Sequence, residues 1–232
     1  PSLWHYLHTM SFNYPVKPNC LHKKKYMEFI KNLQHTLPCV YCRINLKNNF
    51  KDMPFGGSAI DSDGIPLPER TLQECKDSDA VLLAAIGDPK YDKLPREIRP
   101  ETGLLKLRSS LDLFANIRPV KIIPSLTKAS SLKEEFVNKV DLVVVRELTG
   151  GIYFGEPKGR IKTEKGERAF NTMTYTSDEV KRIAEIAFKL AKQRNQKVCS
   201  VDKANVLDVS QLWREETILV SNKYKEVELT HQ

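Results

Sequence analysis

The stretch Val143-Val144-Val145-Arg146-Glu147-Leu148-Thr149-Gly150-Gly151-Ile152-Tyr153-Phe154-Gly155-Glu156-Pro157 decides how the chain reads. The apolar run that opens it, Asp141-Leu142-Val143-Val144-Val145, predicts a short buried strand of a parallel sheet. The run stops at a charge pair, Arg146-Glu147, and the carboxyl ends of strands in open α/β sheets are where ligands bind. Gly150 and Gly151 then allow a sharp turn that returns Tyr153 to the same mouth. An arginine and a tyrosine so spaced suit an anionic substrate and a proton transfer. A plain strand–turn–hairpin with a surface ion pair fits the segment equally well, and the rest of the chain must decide.

Toward the C-terminus, Ser177 is expected to cap a helix whose buried stripe is Val180, Ile183, Ala184, Ala187, Leu190 and Ala191. Residues 197–201 predict a strand that opens into a loop carrying Lys203, Asn205 and Val206. A lysine there is either merely solvated or, with a burial-lowered pKa, a proton carrier. Residues 208–222 read as an amphipathic helix with Leu212, Trp213 and Ile218 inward.

Toward the N-terminus, residues 67–77 predict a helix and residues 80–86 an unalternated, buried strand ending in Gly87-Asp88-Pro89. That alternation is the rhythm of an α/β fold. Arg99-Pro-Glu-Thr-Gly103 opens a helix over residues 104–114, which sets Leu104, Leu107, Arg108 and Leu111 on one side. Arg118 precedes a strand expected over residues 120–124. Singly, Arg108, Arg118 and Arg146 read as solvated arginines; if they converge, their guanidinium forks suit a polycarboxylate. Cys75 and Cys199 read as buried reduced thiols.

Five quoted motifs now carry a resemblance. Phe55-Gly-Gly-Ser-Ala-Ile-Asp61, Arg99-Pro-Glu-Thr-Gly-Leu-Leu105, Phe114-Ala-Asn-Ile-Arg-Pro119, Arg146-Glu-Leu-Thr-Gly-Gly-Ile-Tyr-Phe-Gly-Glu-Pro157 and Ser200-Val-Asp-Lys-Ala-Asn-Val206 resemble the isopropylmalate dehydrogenases. These are NAD-dependent β-decarboxylating enzymes. The resemblance implies their parallel-sheet α/β fold, in incomplete form, over residues 54–232. It implies that Arg108, Arg118 and Arg146 bind the malate carboxylates and hydroxyl, with Leu104, Leu105, Asn205 and Val206 lining the substrate site. It further implies Glu101 and Thr102 at the nicotinamide end of NAD, Tyr153 as the acid that protonates the enol, and Lys203 assisting loss of the hydroxyl proton across a homodimer. An arm from Gly155 to Thr174 would pair with the second subunit. The enolate would be stabilised by Mg or Mn, whose aspartate ligands, like the NAD adenosine site, are expected outside this chain. No metal ligand is therefore assigned, and the chain is expected to be inert as a dehydrogenase.

Residues 1–53 differ in composition. Their eight Lys/Arg against two Asp/Glu supply most of the net charge of +8, and four of five His and three of five Cys also fall there. So uneven a charge argues against a nucleic-acid-binding surface. No apolar run approaches the ~20 residues a membrane span requires. A second helix is expected over residues 22–37, and Pro38 sets Cys39 at a helix N-terminus, so that Cys39-Val-Tyr-Cys42 reads as a redox pair, half a zinc site or two buried thiols. Leu3-Trp-His-Tyr-Leu-His8, Asn13-Tyr-Pro15 and Leu37-Pro-Cys-Val-Tyr-Cys42 resemble the FAD-linked sulfhydryl oxidases. That resemblance implies Trp4 and His8 against FAD beside Cys39 and Cys42, in a half-domain that should hold flavin poorly.

Three functional classes follow: the NAD enzyme acting on 3-isopropylmalate in leucine biosynthesis, a flavin thiol oxidase, and a non-catalytic fusion fragment. A cytoplasmic setting is expected for the first, where thiols stay reduced.

Overall fold

A computed structural model describes Lys25, Glu28, Phe29, Asn32, residues 51–123, Thr127, residues 130–137 and residues 140–232. Lys25, Glu28, Phe29 and Asn32 are helical, in keeping with the helix expected over residues 22–37. The rest of that helix, and Trp4, His8, Cys39 and Cys42, lie outside the described residues. The chain divides into two units, Pro1–Leu104 and Leu105–Gln232.

In the first unit, α1 (Gly57–Asp63) buries Ala59 and α2 (Glu69–Asp77) buries Thr71 and Leu72, with Leu67 buried in the segment between them. Pro68 precedes α2 in extended conformation, as proline before a first helical turn should. The Tyr91 hydroxyl ties this core to the next segment, lying 2.9 Å from both Gly57 O and Asp61 Oδ2, which share its one proton. Residues 80–86 correct an expectation. They carry no regular secondary structure and belong to no ladder among the described residues, and Leu82 is 62% exposed. An unalternated apolar strand is buried only when neighbouring strands and covering layers flank it. The helix that follows, α3 (Pro100–Ser110), starts and ends four residues earlier than expected, because Pro100 suits the first helical turn.

In the second unit, β1 (Ala115–Lys121) and β2 (Asp141–Glu147) form an antiparallel pair, with Arg118 opposite Val144 and Asn116 opposite Arg146. The expected parallel, fully buried strand is thus antiparallel here and half-exposed. The strand expected at residues 120–124 lies earlier for the same reason: residues 115–121 are those that face β2. One helical turn, α4 (Glu134–Val137), stands between the two strands in sequence. A ribbon of β3 (Lys158–Thr163) and β4 (Gly166–Asn171) follows. Then come α5 (Ser177–Lys192), β5 (Lys197–Ser200), α6 (Asp208–Ser221) and β6 (Glu228–His231), with β5 and β6 parallel.

The core lies where α5 meets α6 and β5, and it comprises Ala184, Phe188, Ala191, Val220 and Val227. Phe188 is fully buried and stacks on Tyr224 at 5.3 Å, whereas the expected Ala187 and Leu190 are only partly covered. The cap of α5 is Thr176 rather than Ser177. Its extended backbone lets the hydroxyl accept from Glu179 N–H at 3.3 Å, while the Glu179 carboxylate accepts from Thr176 N–H at 2.8 Å. In α6 the buried face is Glu216, Thr217 and Val220, with Trp213 half-buried, and Ile218 is 44% exposed rather than inward.

Candidate functional site

Strand geometry sets the site. Side chains alternate along β2, so Leu142, Val144 and Arg146 share the exposed face while Val143, Val145 and Glu147 turn toward the side where α5 packs. Residues directly opposite in an antiparallel pair point the same way. Arg118, opposite Val144, therefore stands on the exposed face with Arg146. Arg108, one turn past Leu105 on α3, reaches the same neighbourhood. Burial, and then the positive charges of Arg146 and Arg118, hold the Arg108 guanidinium below its ordinary value, and only Tyr153 acts against them. The Arg146 guanidinium lies 5.5 Å from the centre of the Tyr153 ring, and Tyr153 is half-exposed. Arg118 Nε donates to Asn116 Oδ1 at 2.6 Å. Among the described residues, none of the three arginines is ion-paired with a carboxylate. Three neighbouring cations without an internal anion form a ready receptor for an external one.

Beneath this face the Glu147 side chain is completely buried. Its carboxylate accepts from the backbone N–H of Thr149 (3.0 Å) and of Gly150 (2.7 Å), from the Thr149 hydroxyl (2.8 Å) and from Arg182 (3.0 Å). Arg182 also donates to Thr149 Oγ1 and lies 4.6 Å over the Phe114 ring. Gly151 has φ +73°, and a Cβ there would strike the Tyr175 hydroxyl, so the turn needs glycine at this point. Sequence reading missed Glu147, Arg182 and Tyr175 as supports. The one local signal was an acid placed directly after Arg146 in an otherwise apolar strand.

Lys203, Asn205 and Val206 stand exposed on the turn after β5, and they are not among the groups that act on Arg108. The turn is held by Asp202, whose side chain is 2% exposed and which accepts from Arg214 (2.9 and 3.0 Å) and from Ala204 N–H (3.0 Å). Burial pushes the Asp202 carboxyl up, but the hydrogen bonds from Arg214 and Ala204 and the charges of Arg214 and His231 outweigh it and hold it below its ordinary value. A cleft of about 180 Å³ beside it is lined by Tyr175, Trp213 and Met173.

In the first unit Glu101 is exposed beside Gly87, where a Cβ would come within 2.7 Å of its carboxylate, and the Thr102 hydroxyl donates to Arg96 O at 2.6 Å. Leu104 is half-buried there, and Leu105, at the start of the second unit, is half-buried as well. Among the described residues no group of three His, Cys, Asp or Glu side chains is placed to hold a metal ion. No helix among them is long and apolar enough to cross a membrane.

The sequence profile of the family described as isocitrate/isopropylmalate dehydrogenase matches residues 27–232. The match begins well ahead of residue 53 and so takes in Cys39 and Cys42. A 3-isopropylmalate dehydrogenase of Prochlorococcus marinus (strain NATL2A) is 84% identical over 204 residues, covering 88% of this chain and 57% of its own. Another, from Synechococcus sp. (strain CC9902), is 64% identical over 182 residues, covering 78% of this chain and 51% of its own. The chain thus spans about half the length of these curated relatives. The solved structure of isocitrate dehydrogenase from Methylococcus capsulatus superposes with a TM-score of 0.63 at 27% identity, over 77% of this chain and 49% of the other. These likenesses agree with the fold expected from the motifs, in incomplete form. The chain belongs to the isocitrate/isopropylmalate dehydrogenase family.

Proposed function

We propose that this chain is part of an NAD-dependent dehydrogenase that oxidatively decarboxylates 3-isopropylmalate. The observation that carries the reading is the cluster of Arg108, Arg118 and Arg146, in which Arg108 lies close enough to feel the charges of the other two and Arg146 lies over the Tyr153 ring. The substrate is a hydroxy-dicarboxylate, and guanidinium forks match carboxylates bidentately. The names of the similar Prochlorococcus and Synechococcus enzymes support 3-isopropylmalate over other malates.

In this scheme the arginines hold both carboxylates and orient the hydroxyl-bearing carbon, and Leu104 and Leu105 receive the isopropyl group. Glu101 and Thr102 would hold the nicotinamide end of NAD, which would supply the hydride acceptor. Lys203 of a second copy, with Asn205 and Val206 beside it, takes the hydroxyl proton. Loss of carbon dioxide from the resulting β-keto acid leaves an enol, which the Tyr153 phenol protonates at carbon. The β3–β4 ribbon within residues 155–174 is the proposed pairing arm of the homodimer. Mg or Mn belongs to the family reaction, and among the described residues no ligand set fits it. The setting proposed is the cytoplasm.

The test is thermal unfolding of the purified chain with 3-isopropylmalate, and with malate for comparison. At roughly a hundredfold excess over Kd, binding adds about 2.7 kcal/mol, which raises Tm by about 5 °C or more in a chain of this size. A rise selective for 3-isopropylmalate is expected. Equal rises with both acids, or no rise, would remove the proposed substrate.

A further inference from the structure

Glu147 and Arg182 are joined by a 3.0 Å hydrogen-bonded ion pair, with the carboxylate fully buried. Burying a carboxylate costs solvation that its partner, here a partly exposed arginine, often repays no better than apolar packing would. Stability therefore gives little reason for a carboxylate here. What a carboxylate does, and an apolar group cannot, is gather N–H donors.

Glu147 Oε2 takes the N–H groups of both Thr149 and Gly150, and Gly151 N–H donates to Thr174 O at 2.8 Å. Three successive N–H groups of the turn are thus anchored before the chain reaches Tyr153. Beyond them, the N–H groups of Phe154 and Gly155 return to Gly151 O at 3.2 and 2.9 Å, closing the short helical turn Gly151–Tyr153. Tyr175 packs against the same turn: a Cβ on Gly150 would lie 3.0 Å from its ring. Arg182 fixes the carboxylate from α5, and its own place is set by the Phe114 ring and by Asp112 at 3.4 Å. The Thr149 N–H, the Thr149 hydroxyl and the Gly150 N–H thus converge on one side chain that follows Arg146 in sequence and faces the other way.

We infer that Glu147, held by Arg182, is the positioning residue that fixes the Tyr153 phenol beside the Arg146 guanidinium. It acts through the turn and does not meet the substrate. The assignment deepens the reading of this face as the malate site and rests on that reading for its meaning in the reaction.

The test uses the full chain labelled with 3-fluorotyrosine, followed by fluorine NMR, with the Tyr153 resonance assigned through Tyr153→Phe. Glu147→Gln and Arg182→Met are each expected to move that resonance and to weaken 3-isopropylmalate binding about tenfold, the scale of one lost charge-assisted hydrogen bond. Arg182→Lys, which keeps the cation but not the fork, should recover part of both effects. Val227→Ala, a cut in the α5–α6 core, lowers stability and should leave the resonance and the affinity as in the unaltered chain. A Tyr153 resonance that stays put in a cooperatively unfolding Glu147→Gln chain would overturn the inference, as would equal movement in Val227→Ala. If Glu147→Gln does not fold, Arg182→Met and Arg182→Lys decide in the same way, with no movement in either overturning it. Movement in Glu147→Gln together with no binding by the unaltered chain upholds the positioning role and removes the proposed substrate instead.

Discussion

At the scale of the residue, Asp202 illustrates how a single carboxylate organises a loop. It binds the Arg214 fork and the Ala204 N–H, which shapes the turn presenting Lys203 and Asn205. Its folded-state pKa lies below the ordinary value. The unfolded chain titrates near about 3.9, so the stabilisation is full above that pH and disappears as pH falls through the lower, folded value. Asp202→Asn should therefore cost about 1–2 kcal/mol at neutral pH, discounted because Arg214 is partly exposed. Urea unfolding of both chains across pH should show the gap closing below about pH 4. A gap that persists into acid would mean that the charge is not what holds the loop. Arg118, expected ahead of a strand, lies in the middle of β1, whereas Arg108, Arg146 and Tyr153 were conspicuous in the sequence, the first inside a leucine stripe, the second at the end of an apolar run and the third after a glycine turn. Glu147–Arg182 and Asp202–Arg214 were not, since the partners lie 35 and 12 residues apart and neither disturbs the hydrophobic period.

At the scale of the element, positions were read better than partners. The strand at residues 141–147, the helix at 177–192 and the helix at 208–221 all stand close to where periodicity placed them. The direction of pairing did not follow, because an apolar run such as Leu142–Val145 is equally suited to a parallel or an antiparallel neighbour. The expected α5 stripe included Ala187 and Leu190, which are only partly covered, and omitted Phe188. Phe188 stands four residues after Ala184 and three before Ala191, on the buried face, where it stacks on Tyr224. Phe188→Ala is expected to cost about 3–5 kcal/mol. Ile218→Ala, on the exposed side of α6, should cost under about 1 kcal/mol. Denaturant midpoints measure both, and similar costs would mean that α6 packs through its Ile218 face after all.

At the scale of the whole molecule, composition drew a line at residue 53 where the family relationship does not. Histidine, cysteine and basic residues crowd the first segment, yet the dehydrogenase family match starts at residue 27 and includes Cys39 and Cys42. The long motifs around Arg108, Arg146 and Lys203 were the stronger guide, since each couples a backbone requirement to a charged side chain. Whether the three arginines act as one receptor is the claim on which the functional account stands. Isothermal titration of 3-isopropylmalate into the unaltered chain and into Arg108→Ala tests it most directly. Arg108 is partly buried and close enough to feel the charges of Arg118 and Arg146, so its removal should weaken binding by about tenfold or more. Equal affinity in the two chains would contradict the account.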